Sequence, residues 1–147
     1  MNKLALLIFL LLPATAFAQP SYDVSCANVS KIIIVKIKDT HWNVDSYQGH
    51  FHVLHLTLTP DAAREAVKLR DATPRKHIRY RGEDYYGPRI VITAQGVPLH
   101  DDTPALSGIT NQGAVIGIIR EKDAFDSARA VCPALVPDKV LIDGQLE

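Results

Sequence analysis

The stretch HFHVLHLTLTPDAAREAVKLR, residues 50–70, constrains the fold most, because a strand pattern runs directly into a helix start. Apolar side chains recur at every second position, as in a strand with one face on a core. Thr59 can cap the first free backbone N–H groups, Pro60 suits the first helical position, and Asp61 complements the positive end of the helix dipole. Pro74 is expected to end the helix. The predicted core face of the strand carries Leu54, Leu56 and Leu58.

The remaining pattern predicts an α+β protein. VSKIIIVKIK at 29–38, KHIRYR at 76–81, RIVITAQG at 89–96 and GAVIGIIR at 113–120 have strand patterns, whereas GEDYYGP between the second and third indicates a loop. Residues 122–132 have the spacing of an amphipathic helix, and VLI at 140–142 is a short tail strand. We therefore expect an antiparallel-rich sheet of four to five strands with two helices on one face.

The first 18 residues, MNKLALLIFLLLPATAFA, have the three-part pattern of a secretory signal peptide, with cleavage expected after Ala18. The apolar run is too short to cross a bilayer, and no second candidate follows, so we expect no membrane span in the mature chain. Removing the segment leaves 15 basic and 16 acidic residues, which gives no global attraction to nucleic acid. The sequence predicts a single domain at 19–147, located in the periplasm or secreted.

The two cysteines, Cys26 and Cys132, lie near opposite ends of the exported chain. In an oxidising compartment such a pair is more often a disulfide than two free thiols, so we expect a Cys26–Cys132 bond. Two buried free thiols are the alternative. The absence of a C-x-x-C spacing argues against a redox-active pair.

Four segments of the chain, taken in order, are LTLTPDAAREAVKL, IVITAQGVPLHDDTPAL, SGIT and GAVIGIIREKDAFDSARAVCPAL. Together they resemble the P1 head subdomain of the SecD/SecDF protein-export family, and the match runs from about Phe51 to Val136. Gln95 stands where the family usually has Asp, YRGEDYYG is longer and more aromatic than in the family, and the membrane helices are missing. The resemblance implies an extracytoplasmic head similar to the part proposed to touch translocating polypeptides. No proton-transport activity or catalytic residue carries over.

The segment RKHIRYRGEDYYGPR, residues 75–89, is the best candidate for an interaction surface. It holds three tyrosines and four arginines, residue types that are enriched at interface hot spots. The alternative is a solvated strand edge whose tyrosines cover the core. The predicted partner-binding residues are Arg79, Tyr80, Arg81, Tyr85, Tyr86 and Arg89.

A metal site is the more specific of two interpretations of the histidines at the start of the second predicted strand. His50 and His52 share a face and could offer two imidazoles to zinc or copper, but two same-face imidazoles make half a tetrahedral site. The third ligand would have to come from elsewhere, and the candidates are His41, His100 and Asp101. The alternative places His50 and His52 beyond the leucine core at the fraying strand start. We expect that second outcome, with no metal and no cofactor.

The loop LHDDTP at 99–104 offers an imidazole and two carboxylates, although carboxylates in such loops more often form Asx turns. Ser107 lacks the G-x-S-x-G elbow, and no other pattern indicates catalysis, so we expect no enzyme. The sequence favours a periplasmic binding module that engages a protein or peptide partner and no nucleic acid. The alternatives are an immunity or inhibitor protein against a toxin and a metal carrier that uses His50 and His52.

Overall fold

A computed structural model describes residues 19–38, 50–80, 82–102 and 107–142. The predicted signal peptide, His41 and Arg81 lie outside the described residues. The described strands are β1 Ser21–Asp23, β2 Val29–Lys38, β3 His50–Leu58, β4 Arg75–Tyr80, β5 Glu83–Pro88, β6 Val91–Ala94, β7 Val97–Pro98, β8 Gly108–Ile109, β9 Gly113–Ile118 and β10 Leu141–Ile142. The helices are α1 Pro60–Ala72 and α2 Glu121–Val131, and a 3₁₀ turn follows at Pro133–Leu135.

The main sheet has five strands in the order β10-β2-β3-β9-β8. All neighbours pair antiparallel except β10, which runs parallel to β2. Leu54 at the centre lies between Ile34 on β2 and Ile116 on β9, and all three side chains are fully buried. The alternation of β3 therefore sets the core face of the sheet, as the leucine pattern predicts.

Both helices pack on that leucine face. Small residues line their contact surfaces, namely Ala62 and Ala66 on α1 and Ala124 and Ala128 on α2, and they belong to the same buried cluster as Leu54. Alanine lets a helix axis approach a sheet closely and costs little side-chain entropy on burial. The predicted α+β class and five-stranded sheet are confirmed.

One local prediction for α1 is wrong. Thr59 occupies the N-cap position, but its side chain makes no capping hydrogen bond. Pro60 at the first helical position already lacks an N–H, so fewer donors at this helix start need a partner. The buried side of the helix is centred on Ala62 and Ala66.

Gly113 is required where β9 begins beside β3. A Cβ atom built at this position would lie 1.8 Å from the carbonyl oxygen of Leu56 and 3.2 Å from the backbone nitrogen of Leu58. Any side chain would therefore force the two strands apart.

The other strands form two small sheets. GEDYYGP, predicted as a loop, is mostly strand β5, which pairs antiparallel with β4 in a two-stranded hairpin. The second small sheet has the order β1-β6-β7, with β1 parallel to β6. Gln95 and Gly96 both have positive φ and form the predicted turn between β6 and β7. The local glycines indicated a loop at 82–88, but pairing with β4 satisfies its backbone.

The Cys26–Cys132 disulfide is formed, as predicted. It joins the turn before β2 to the residue that ends α2, across 106 residues of sequence. The start of the main sheet is thus covalently tied to the helix that covers it. Among the described residues, no helix is both long and apolar enough to cross a membrane.

Candidate functional site

The β4–β5 hairpin has one exposed face and one that turns toward the body of the protein. Its register places His77 opposite Tyr86 and Ile78 opposite Tyr85. Because alternate residues point to opposite sides, the two pairs lie on different faces. The exposed face, called the outer face below, carries Arg75, His77, Arg79, Asp84 and Tyr86. Ile78, Tyr80 and Tyr85 form the inner face and are half-buried.

The predicted partner-binding residues therefore divide between two roles. Arg79 and Tyr86 lie on the outer face, where Tyr86 leaves 61% of its surface exposed. Tyr80 and Tyr85 lie on the inner face. The hydroxyl of Tyr80 donates a hydrogen bond of 2.5 Å to the backbone carbonyl of Asp102. Tyr80 thus anchors the hairpin to the body, in line with the alternative in which the tyrosines cover the core.

Arg89 follows the hairpin and lies at its base. Its guanidinium is 3.6 Å from the carboxylate of Asp101. Asp101 in turn accepts a hydrogen bond of 2.7 Å from the hydroxyl of Ser107, which itself accepts the N–H of Gly117 at 3.0 Å. This chain of contacts braces the loop against β9. It gives Ser107 and Asp101 a structural role, through a contact between side chains and not through the Asx turn that the sequence favoured.

A cavity of about 430 Å³ opens beside these polar groups. Its apolar lining includes Ile90, Ile92, Leu99 and Ile116, and its polar lining includes Arg89, His100, Asp101 and Ser107. An apolar cavity with a few converging polar groups is the common form of a small-ligand pocket. Here the polar groups at its mouth already bind one another.

The segment 75–89 is basic in a chain that is neutral as a whole. It contains five arginines and lysines against two acidic residues, whereas the whole sequence has 16 of each kind. On the outer face, Arg75 and Arg79 lie with one acidic residue, Asp84. The rings of His77 and Tyr86 contact each other across the strands, with centroids 4.8 Å apart and planes tilted by 43°. Aromatic rings beside guanidinium groups suit an extended chain that offers carboxylates and backbone carbonyls.

Within the described part of the chain, β4 and β5 pair with each other and with no other strand. Each strand consequently has one edge of backbone N–H and C=O groups that pairs with no further described strand. Such an edge is a template on which a further extended chain can add as a strand.

His52 is not at a fraying strand end, as the expectation for His50 and His52 assumed. It is only 5% exposed, and its Nδ1 lies 3.0 Å from the carbonyl oxygen of Ile119, which can only accept. Nδ1 therefore carries the hydrogen. Nε2 lies 3.6 Å from the carboxylate of Glu121 and has no hydrogen-bond partner among the described residues. His52 is buried because the first turn of α2 covers this end of β3.

His100 takes part in a different cluster, of which the sequence indicated only the part that lies in the loop 99–104. Its Nε2 lies 2.8 Å from Oδ1 of Asp102 and 3.5 Å from Oδ2 of Asp123. These three atoms lie within 4.8 Å of one another. Asp102 was considered as part of the loop 99–104, but Asp123 was missed because it comes from the first turn of α2, 21 residues further on. Asp123 lies close to His100 only because α2 packs against the loop.

Comparisons with protein-family models, with curated proteins and with solved structures found no match for this chain. The resemblance to the SecD/SecDF head subdomain therefore rests on the sequence segments alone and stays a prediction.

Proposed function

We propose that this protein is a binding module of the periplasm that takes up an extended polypeptide on its β4–β5 hairpin. The hairpin would add the polypeptide as a further strand and contact its side chains with the outer face. The observation that carries the proposal is that the hairpin is a separate two-stranded ribbon, anchored through its inner face and exposed on its outer face.

The outer face has the composition that such binding needs. Main-chain hydrogen bonds from a strand edge give affinity without sequence preference, and the side chains of alternate residues add selectivity. The outer face holds three residues of the types found at hot spots. Arg79 and Tyr86 lie within the face, and Arg75 lies at its end. The excess of positive charge favours polypeptide segments that carry Asp or Glu.

The rest of the fold supports the proposal by holding the hairpin on a rigid base. The disulfide closes the main sheet, and Tyr80 ties the hairpin to the loop beside that sheet. A disulfide of this kind persists in an oxidising compartment, which agrees with the export signal at residues 1–18. A pre-organised surface binds with a smaller loss of conformational entropy.

Binding to a fluorescent polypeptide that is reduced and alkylated, and so cannot refold, tests the proposal. Affinity is measured by anisotropy for the native protein and for an Arg79→Ala/Tyr86→Ala double variant. We expect the double variant to bind at least about tenfold more weakly, since hot-spot truncations cost more than about 1 kcal/mol each.

Arg64→Ala is the matched control, because Arg64 is an exposed arginine on α1 whose partner is the neighbouring Asp61. It removes the same charge without touching the hairpin and should leave the affinity unchanged. Equal weakening by Arg64→Ala and by the double variant would show non-specific attraction to charge and would contradict the proposal. So would the absence of any binding by the native protein.

A further inference from the structure

We propose that His100, Asp102 and Asp123 form a binding site for Zn²⁺. The three ligand atoms come from two separate parts of the chain, the loop after β7 and the first turn of α2. They converge at a point on the protein surface next to the base of the hairpin. The site is distinct from the pair His50 and His52 that the sequence suggested.

The spacing of the three atoms fits one small ion. In a tetrahedral zinc site with ligand bonds of 2.0 to 2.2 Å, ligand atoms lie about 3.4 Å from one another. Nε2 of His100 is 2.8 Å from the Asp102 oxygen and 3.5 Å from the Asp123 oxygen. These distances lie on either side of that value, and all three atoms lie within 4.8 Å of one another, so rotation of the side chains would bring them to the spacing that the ion needs.

The ligand types select the class of metal. An imidazole with two carboxylates suits zinc, whereas magnesium and calcium prefer oxygen ligands alone. Three protein ligands also leave a fourth position open for water or for a group of a bound partner. The imidazole distinguishes this group from an ordinary acidic patch.

Asp102 is held in place by contacts outside the cluster. Its Oδ2 accepts the N–H of Ile119 at 3.0 Å, so that Oδ1 is directed to His100. Its backbone N–H binds the carbonyl of Gly117, and its own carbonyl accepts the hydroxyl of Tyr80. Such outer contacts orient metal ligands and raise affinity. They also connect the ion site to the anchor of the hairpin.

The ligands are open to solvent on one side. His100 is 44% exposed at its side chain, and a shallow cavity of about 230 Å³ is lined by His100, Asp123, Asp126 and Ser127. An ion can reach Nε2 through this opening without any rearrangement of the core.

Arg120 offers a way to distinguish a zinc site from a simple cluster of ion pairs. Its Nε lies 2.5 Å from Oδ2 of Asp123, the same oxygen that faces His100, and its side chain is 70% exposed. In the absence of an ion, Arg120 pairs with the carboxylate of Asp123. Zinc would compete with Arg120 for Asp123. Removal of Arg120 should therefore tighten zinc binding if the site is real.

Isothermal titration of the tag-free, disulfide-bonded protein with ZnCl₂ at pH 7.5 tests the proposal. We expect one ion per chain, at least about tenfold weaker binding in His100→Ala and in Asp123→Asn, and tighter binding in Arg120→Ala. Magnesium should not compete.

The His50→Ala/His52→Ala double variant is the control for the other pair of histidines. We expect it to bind zinc as the native protein does. No binding of zinc by the native protein overturns the proposal, and so does binding that survives His100→Ala but is lost in the double variant. Circular dichroism of each variant establishes that the fold is retained. If His100→Ala fails to fold, Asp123→Asn and Arg120→Ala decide the question, because the first replaces a carboxylate by an amide of the same shape and the second shortens a side chain that is 70% exposed.

Discussion

The main sheet and the β4–β5 hairpin are both built from paired strands, yet they differ in composition and in what covers them. In the main sheet Ile34, Leu54 and Ile116 are fully buried under two helices and closed in by a disulfide. In the hairpin, no residue of the outer face is buried, and β4 and β5 pair with no further strand in the described part of the chain. Packing therefore specifies the body, whereas the outer face of the hairpin is the region to which we assign the proposed binding.

An isolated two-stranded hairpin is at best marginally stable in water. The hairpin therefore depends on contacts of its inner face, of which the Tyr80 hydrogen bond to Asp102 is one. The body does not depend on the hairpin in the same way. Changes in the body should lower the stability of the whole protein, and changes in the hairpin should act locally.

The largest effect is expected from removal of the disulfide. A Cys26→Ser/Cys132→Ser double variant should lose about 2 to 5 kcal/mol of unfolding free energy, because the bond closes a loop of more than 100 residues. Urea denaturation of the native and variant proteins measures the loss. A loss below about 1 kcal/mol would mean that the bond is not part of what holds α2 on the sheet.

Two glycine substitutions compare the body with the hairpin directly. Gly113→Ala should cost about 3 kcal/mol, because its Cβ would overlap the Leu56 carbonyl and the strands must separate. Gly87→Ala on β5 meets nothing within 4 Å, and it should change stability by less than about 0.5 kcal/mol. Equal losses at the two positions would contradict the distinction between the two regions.

A smaller effect is expected when the hydrogen bond that anchors the hairpin is removed. Tyr80→Phe keeps the ring and loses only the hydroxyl that contacts Asp102, which should cost about 1 kcal/mol locally. Hydrogen exchange followed by mass spectrometry should show faster exchange at 75–88 and unchanged exchange in β3. Faster exchange throughout the protein would show that the hairpin and the body unfold together.

The smallest effect concerns His55, on the face of β3 opposite the leucines. Partial burial lowers the pKa of its imidazole below the ordinary value of 6.5. The unfolded chain therefore binds a proton more readily, and the resulting stability is present above pH 6.5 and is lost as the pH falls below it. Urea denaturation at pH 7.5 and pH 5 should show a smaller pH dependence in His55→Gln than in the native protein. If the pH dependence of stability is the same in His55→Gln and in the native protein, other groups cause it.

The sequence was sufficient for the body because its signals are local and periodic. The leucines of β3, the stop at Pro74 and the stripe of α2 each follow from spacing alone, and the disulfide follows from the expected export and from Cys132 on that stripe. The sequence failed at β5, where glycines indicated a loop, because strand pairing is a long-range property. His52 and Asp123 were misjudged for the same reason, since the position of α2 determines their surroundings.

The candidate surface was only partly predictable. The sequence identified the segment 75–89, but the register decides which of its residues face outward, and register depends on pairing rather than composition. It places Arg79 and Tyr86 outside and Tyr80 and Tyr85 inside. Alternation along β4 is enough to place Arg79 and Tyr80 on opposite faces. Nothing in the sequence predicts the register in which β5 pairs with β4.

Hydrogen exchange of the native protein with and without the unfolded polypeptide is the most direct test of the account. The account predicts that bound polypeptide slows exchange at the backbone amides of 75–88, because strand addition engages N–H groups along the edge of the hairpin. Exchange in β2, β3 and β9 should not change. Slower exchange elsewhere, for example along α1, with none at the hairpin would contradict the claim that the hairpin is the binding surface.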